Sequence, residues 1–176
     1  MRCFVGYLLN EDEKVGILKL LEKMEKWPMK CKFVEKENLH LNFSFLGEIG
    51  ENDIKKISEK IDSVGKKFKK FEVEIDGLKM IPNDKYVRVL ALSLAYNEDL
   101  EKIFKEIVKE IGGDSKPAHI TLCRVKAVTN KLELKKKVME EGRFHGKITI
   151  RKIQLIKSEL KPTGPVYSVI HEAELF

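Results

Sequence analysis

Four histidines occur in the 176 residues, and two of them open matched segments, His40-Leu41-Asn42-Phe43 and His119-Ile120-Thr121-Leu122. In an extended chain successive side chains point to opposite faces. Each histidine therefore shares a face with Asn42 or Thr121, while the apolar residues turn the other way. Two imidazoles facing one cleft suit a phosphodiester reaction that uses no metal. One neutral ring takes a proton from the nucleophile, and the other, as imidazolium, gives one to the leaving oxygen. Both steps work near neutral pH because histidine titrates there. Asn42 and Thr121 can donate hydrogen bonds to the non-bridging oxygens as charge builds on them. A single histidine at a sheet edge reads as a satisfied polar side chain; a matched pair, each with a polar residue two positions on, points to function. A metal centre fits less well, since two histidines are too few ligands and neither segment holds Asp or Glu.

The elements that must carry these segments alternate between strand and helix. Arg2–Leu9 is a β-rich run, and Asn10 caps a helix over Glu11–Lys23 whose apolar stripe is Val15, Leu18, Leu20, Leu21 and Met24. A short strand is expected at Lys32–Glu35 and a clearer one at Leu39–Leu46, ended by Gly47. Asn52 or Asp53 caps the next helix, to Val64, followed by a strand over Phe71–Ile81 and the turn Pro82-Asn83-Asp84. The second half repeats the plan with a strand Tyr86–Leu94, a helix from Asn97 to Ile111 and a strand His119–Arg124. Thr129 or Asn130 then opens a helix to Glu141, and a long strand Lys147–Leu160 and a final strand Val166–Leu175 follow. An offset of 79 residues carries His40 onto His119 and Asn42 onto Thr121. The chain thus reads as one two-lobed domain over 1–176, with repeat halves near 1–81 and 86–176. Its expected fold is α+β: duplicated β-α-β-α-β units with pseudo-twofold symmetry around a central cleft, mostly antiparallel sheets, and helices on the outer faces.

Composition narrows the classes. Hydrophobic residues make up 43%, enough for a core, and charged residues 35%, which gives a densely ionic surface. The net charge of +6 favours an anionic partner such as RNA or a nucleotide. The clusters Lys66-Lys67-Lys69-Lys70 and Lys135-Lys136-Lys137 read as solvated helix ends. Apolar runs are too short to span a bilayer, and the N-terminus lacks a signal-peptide cleavage site, so no membrane is expected. Cys3, Cys31 and Cys123 form no C-x-x-C and read as reduced thiols of a cytoplasmic protein, with no structural zinc.

The wider words around the histidines carry a resemblance over essentially the whole chain. They are Glu37-Asn38-Leu39-His40-Leu41 with Phe45-Leu46-Gly47-Glu48, then His119-Ile120-Thr121-Leu122 with Arg124-Val125-Lys126, then Ser158-Glu159-Leu160 with Gly164-Pro165-Val166-Tyr167. Each is short; the ordered set resembles the RNA 2′,3′-cyclic phosphodiesterase group, also called 2′-5′ RNA ligases, of the two-histidine phosphoesterase superfamily. The resemblance implies a bilobal α+β fold and hydrolysis of a terminal 2′,3′-cyclic phosphate to a 2′-phosphate, with no metal or other cofactor. It also implies a reversible 2′-5′ ligation in some members. His40 would be the proton donor to the departing 3′ oxygen and His119 the proton acceptor that activates water. Asn42 and Thr121 would hold the phosphate, Asn42 standing where the family pattern has Thr. Expected substrates are RNA with 2′,3′-cyclic phosphate ends, tRNA fragments among them, or small cyclic nucleotides, handled by a monomer.

Three further residues are weighed from both sides. The resemblance gives Arg124 a substrate role, but strict alternation puts it on the face opposite His119 unless the strand ends or bulges near Cys123. Phe45 could stack a base, yet parity groups it with Leu41 and Phe43, so core packing is expected. Tyr167 either lines the cleft or is a buried tyrosine of the last strand. His145 and His171 have no matching partners and read as surface or structural. The competing class is a non-catalytic module that captures RNA ends or nucleotides through its basic surface.

Overall fold

The computed structural model describes all residues, Met1–Phe176. Each helix starts where a side chain can close its first turn. Helix α1 (Glu11–Met24) follows Asn10, whose Oδ1 accepts from the Glu13 N–H at 2.9 Å while Glu13 Oε1 accepts from the Asn10 N–H at 2.9 Å. Asn97 and Asn130 cap α3 (Glu98–Glu110) and α4 (Lys131–Glu140) through the side-chain bond alone, accepting from the Leu100 and Glu133 N–H at 2.9 and 3.0 Å. Helix α2 (Glu51–Gly65) differs from expectation: Gly50 is the cap, and Asp53, inside the first turn, accepts from its N–H at 3.3 Å. In α1 the buried stripe is Ile17, Leu20, Leu21 and Met24, and Val15 is exposed. Val15 is two residues from Ile17, about 200° around the helix, so it cannot share that stripe.

The strands are β1 (Arg2–Leu8), β2 (Met29–Phe33), β3 (His40–Glu48), β4 (Phe71–Pro82), β5 (Val87–Leu94), β6 (His119–Val128), β7 (His145–Ile150), β8 (Lys152–Lys161) and β9 (Gly164–Glu174). They form two antiparallel sheets, ordered β3-β1-β8-β9 and β2-β6-β5-β4-β7. The fold is α+β, with the four helices stacked on these sheets: α2 and α3 against the four-stranded one, α1 and α4 against the five-stranded one. The expected single strand Lys147–Leu160 is two strands in different sheets, β7 on β4 and β8 on β1. The break falls at Arg151, where the buried phase slips from Ile148 and Ile150 to Ile153 and Leu155. Strand β2 lies three residues earlier than expected, and β6 runs on to Val128.

Each sheet draws strands from both chain halves. Strand β4 pairs with β5, and β8 and β9 close onto β1. The loops before the two histidine strands also cross over. Val34 N donates to Leu122 O of β6 at 2.9 Å, while Phe45 of β3 exchanges two 2.8 Å bonds with Asp114. The crossing at β3 needs a glycine: Gly113 has φ +92°, and a Cβ there would strike Ser44 Oγ and the Phe45 carbonyl. One hydrophobic core of buried side chains from both sheets and all four helices results. No helix is long and apolar enough to cross a membrane.

Candidate active site

Strands β3 and β6 carry the same irregularity. Opposite β1, Val5 pairs with Ser44 and Gly6 with Asn42, so Phe43 is an extra residue; opposite β5, Leu90 pairs with Cys123 and Ala91 with Thr121, so Leu122 is extra. Each bulge lies 79 positions from the other. Across it two consecutive side chains are buried, Phe43 and Ser44 in β3, Leu122 and Cys123 in β6. A bulge inverts parity beyond it. Phe45 and Arg124 therefore emerge on the faces that carry His40 with Asn42 and His119 with Thr121. Phe45 is 44% exposed, contrary to the core role that parity assigned it.

The two imidazoles are held alike. His40 Nδ1 lies 2.7 Å from Asn38 O and His119 Nδ1 lies 2.8 Å from Pro117 O, in both cases the carbonyl two residues back. A carbonyl only accepts, so Nδ1 carries hydrogen in each ring and Nε2 is the nitrogen that gains or loses a proton. Burial pushes His40 below its ordinary value near 6.5, the bond to Asn38 opposes this, and the charge of His119 deepens the depression. Beside them the Asn42 amide nitrogen is buried and has no hydrogen-bond partner. An unpaired buried donor costs free energy unless an acceptor arrives.

An aromatic cluster surrounds His40. Its ring centroid is 4.9 Å from Phe4 and 5.3 Å from Tyr167, the latter edge-on, and Phe4 also meets Tyr167 at 5.1 Å and Phe45 at 6.2 Å. Tyr167 is thus half-buried against His40 and Phe4. Burial raises its phenol, while Arg124 and then Arg2 draw it down, which places both guanidiniums within electrostatic reach of this ring.

Over nearly the full length of both chains, 98% of this one and 99% of the other, the sequence is 36% identical to a Methanocaldococcus jannaschii protein named RNA 2′,3′-cyclic phosphodiesterase. A family model described as LigT like Phosphoesterase matches residues 9–91. The chain belongs to the LigT-like phosphoesterases. A Thermotoga maritima relative of the same name is 29% identical, with 99% of this chain and 95% of that one covered. The fold matches TT0787 of Thermus thermophilus with a TM-score of 0.81 at 24% identity, covering 99% and 98% of the two chains. It also matches LigT of E. coli, solved in complex with 3′-AMP, with a TM-score of 0.75 at 17% identity over 99% and 96%.

Several residues of this phosphoesterase escaped the sequence reading. Asn38 is almost fully buried and donates from Nδ2 to Pro165 O at 2.8 Å, so one residue ties the β8–β9 hairpin to the strand that presents His40. Gly6 faces Asn42 across β1 and β3, and a Cβ there would lie 2.6 Å from Leu41 O, between His40 and Asn42. Phe4 alternates like any strand residue, and only the pairing of β1 with β3 and β8 reveals that it lies under His40. No group of three or more His, Cys, Asp or Glu side chains is placed to hold a metal ion. His171 bonds Asp62 at 2.7 Å, joining β9 to α2, and His145 opens β7 on the surface.

Proposed function

We propose that this phosphoesterase hydrolyses terminal 2′,3′-cyclic phosphates of RNA to 2′-phosphates by acid–base catalysis between His40 and His119, without a metal. The observation that carries the reading is the matched fixing of both rings through Nδ1, which leaves two Nε2 atoms of one chain to act on one phosphate. His119 Nε2 takes a proton from water as its oxygen bonds to phosphorus. The bond from phosphorus to the 3′ oxygen breaks, and His40 Nε2–H protonates that oxygen, leaving a 2′-phosphate and a 3′-hydroxyl. Deprotonation of His40 and protonation of His119 then leave each ring needing one proton exchange with solvent before the next turnover. Asn42 Nδ2 and the Thr121 hydroxyl donate to the non-bridging oxygens, and Arg124 balances the added charge. Phe45 and Tyr167 offer aromatic surface to the terminal nucleoside.

Burial of His40 serves this scheme. An imidazolium that the free site disfavours is a stronger acid once it forms, and an arriving phosphate anion favours its formation. Ligation is the same chemistry with a 5′-hydroxyl in place of water as the nucleophile, and it runs backwards when the 3′-hydroxyl attacks the 2′-5′ diester. Hydrolysis dominates because water is present at about 55 M while the hydroxyl is dilute unless it is held in place. Both histidines belong to one chain, so a monomer suffices.

The test is ring opening of an oligonucleotide ending in 2′,3′-cyclic phosphate, followed in excess chelator. Activity should persist in chelator and fall by roughly 100-fold or more in each of His40→Ala and His119→Ala, the usual scale of one general acid or base. Unchanged turnover in either variant removes that histidine from the mechanism. Tight binding with no ring opening in the unmodified protein assigns the site to the capture of RNA ends instead.

A further inference from the structure

Charge is segregated in the five-stranded sheet. Strands β2, β5 and β6 contain no Asp or Glu, in a chain that holds 28 such residues. The outward face of the β2–β6 ribbon follows from the register. Phe33, Cys31 and Met29 pair with Cys123, Val125 and Val128 and pack toward the core, whereas Lys32 pairs with Arg124 and Lys30 with Ala127. A second register shift, at Lys126, leaves Lys126 and Ala127 both exposed. The open face of this edge ribbon thus carries Lys30, Lys32, Arg124 and Lys126, with one alanine methyl between them.

None of these four cations forms an ion pair. Some lysines elsewhere are neutralised, as in Lys23–Glu141 at 2.8 Å, Lys67–Glu106 at 2.6 Å and Lys135–Asp84 at 2.9 Å. Even the acid on the neighbouring β8–β9 hairpin, Glu159, is held between Lys157 and Lys161 at 2.7 and 3.1 Å. Four like charges on two adjacent strands repel one another and favour a polyanion that lies along them. The row continues the face of β6 that bears His119, Thr121 and Arg124, and side chains two residues apart along a strand repeat at roughly 7 Å.

We propose that the β2–β6 edge is a track for the RNA backbone upstream of the terminal phosphate, with Lys30 and Lys126 each contacting a phosphate beyond the scissile one. The proposal rests on the phosphodiesterase reading of the site and names its substrate class: an oligonucleotide of several residues in preference to a cyclic mononucleotide. Lys32 lies at the junction. Its Nζ donates to Thr163 O at 3.1 Å, so the hairpin borders the track where it leaves the cleft.

The experiment compares kcat/KM for 2′,3′-cyclic AMP and for oligoribonucleotides of two to eight residues ending in 2′,3′-cyclic phosphate, over a range of salt. The unmodified protein should gain with length and lose that gain as salt rises. In a Lys30→Gln/Lys126→Gln variant the ratio of oligonucleotide to mononucleotide should fall roughly tenfold. The slope of log kcat/KM against log salt should flatten by about 1.4, at about 0.7 per single-strand phosphate contact. A length-independent unmodified enzyme, or a variant that keeps the full ratio, overturns the track. So does a poly-glutamate peptide that competes as well as RNA at equal charge, since the face would then suit an acidic protein. Should neither substrate be opened, the phosphodiesterase reading fails by itself. Binding of a 3′-phosphorylated oligonucleotide then decides the track, supporting it if the variant binds more weakly and overturning it if affinity is equal.

Discussion

Removing the Asn42 amide should move stability and activity in opposite directions. In the free protein its Nδ2 is buried without a partner, and an unsatisfied buried donor costs roughly 1–3 kcal/mol. Asn42→Ala deletes that donor. The small side-chain volume lost returns some of the gain, leaving a net stabilisation of about 1 kcal/mol, or roughly 2–4 °C in Tm for a chain of this length. The same deletion removes a hydrogen bond to a phosphate oxygen. Bonds to charged groups contribute roughly 1.5–3 kcal/mol, so kcat/KM should drop about 10- to 150-fold. Thermal denaturation and ring-opening kinetics on one preparation read both quantities. Asn42→Thr provides the contrast: a hydroxyl at this position donates as the family pattern does, and activity should be retained or rise. The reasoning is refuted if Asn42→Ala lowers Tm by several degrees while kcat/KM stays within about threefold, because the amide would then be holding the fold and not awaiting a ligand.

Other outcomes follow from the same geometry. On the proposed scheme His40 must be protonated, and burial holds its pKa below the ordinary 6.5 in the free protein, so kcat/KM should begin to fall with rising pH below that value. The alkaline limb of kcat, which reports the phosphate-bound state, should lie at higher pH, and coincident limbs in the two profiles would contradict the coupling. Arg124→Gln should lower kcat/KM by roughly 10- to 100-fold through loss of a charge-assisted contact, whereas an effect confined to Tm would return Arg124 to a structural role. Gly113→Ala forces a Cβ into Ser44 and the Phe45 carbonyl from a positive φ, and denaturant unfolding should show a loss of about 1–3 kcal/mol.

The site is legible in the sequence to the extent that it depends on period and repeat. The His40 and His119 segments stand out because an offset of 79 superimposes them and a polar residue follows each two positions on. The helices are legible at Asn10, Asn97 and Asn130, where a short side chain caps its own local turn. Period fails where an extra residue shifts it. Nothing in Leu41-Asn42-Phe43-Ser44-Phe45 distinguishes a regular strand from one bulged at Phe43, because the bulge is set by the partner β1 and by the loop through Gly113 that crosses behind it. Parity alone thereby assigns Phe45 to the core and Arg124 to the face opposite His119. The break at Arg151 is in principle readable as a phase slip. The destinations of β7 and β8 are not, since strand pairing is a long-range choice that local pattern does not encode.

The two bulges also explain how a repeated scaffold serves a substrate with no symmetry. A terminal cyclic phosphate is joined through both bridging oxygens to one ribose, from which the base and the upstream backbone leave in different directions, so two identical half-sites would waste one set of contacts. The backbone keeps the halves alike through the histidine, its Nδ1 bond to the carbonyl two residues back, the hydrogen-bonding residue two on and the parity shift that follows. It places the fifth residue after each histidine on the cleft face, and only there do the halves diverge sharply in chemistry. Phe45 joins Phe4, Tyr167 and the ring of His40 in an aromatic surface, whereas Arg124 joins Lys32 on strands that carry no acid. The shared part of the geometry suits a phosphate, which looks the same to both imidazoles. The divergent slot suits the two different groups that leave the ribose, a base that stacks and a backbone that is charged. Exchanging the two residues, Phe45→Arg with Arg124→Phe, would keep every backbone feature and reverse only this polarity. If the division of labour lies in that slot, such a double variant should fold normally and lose far more activity on an oligonucleotide than its loss of stability can account for.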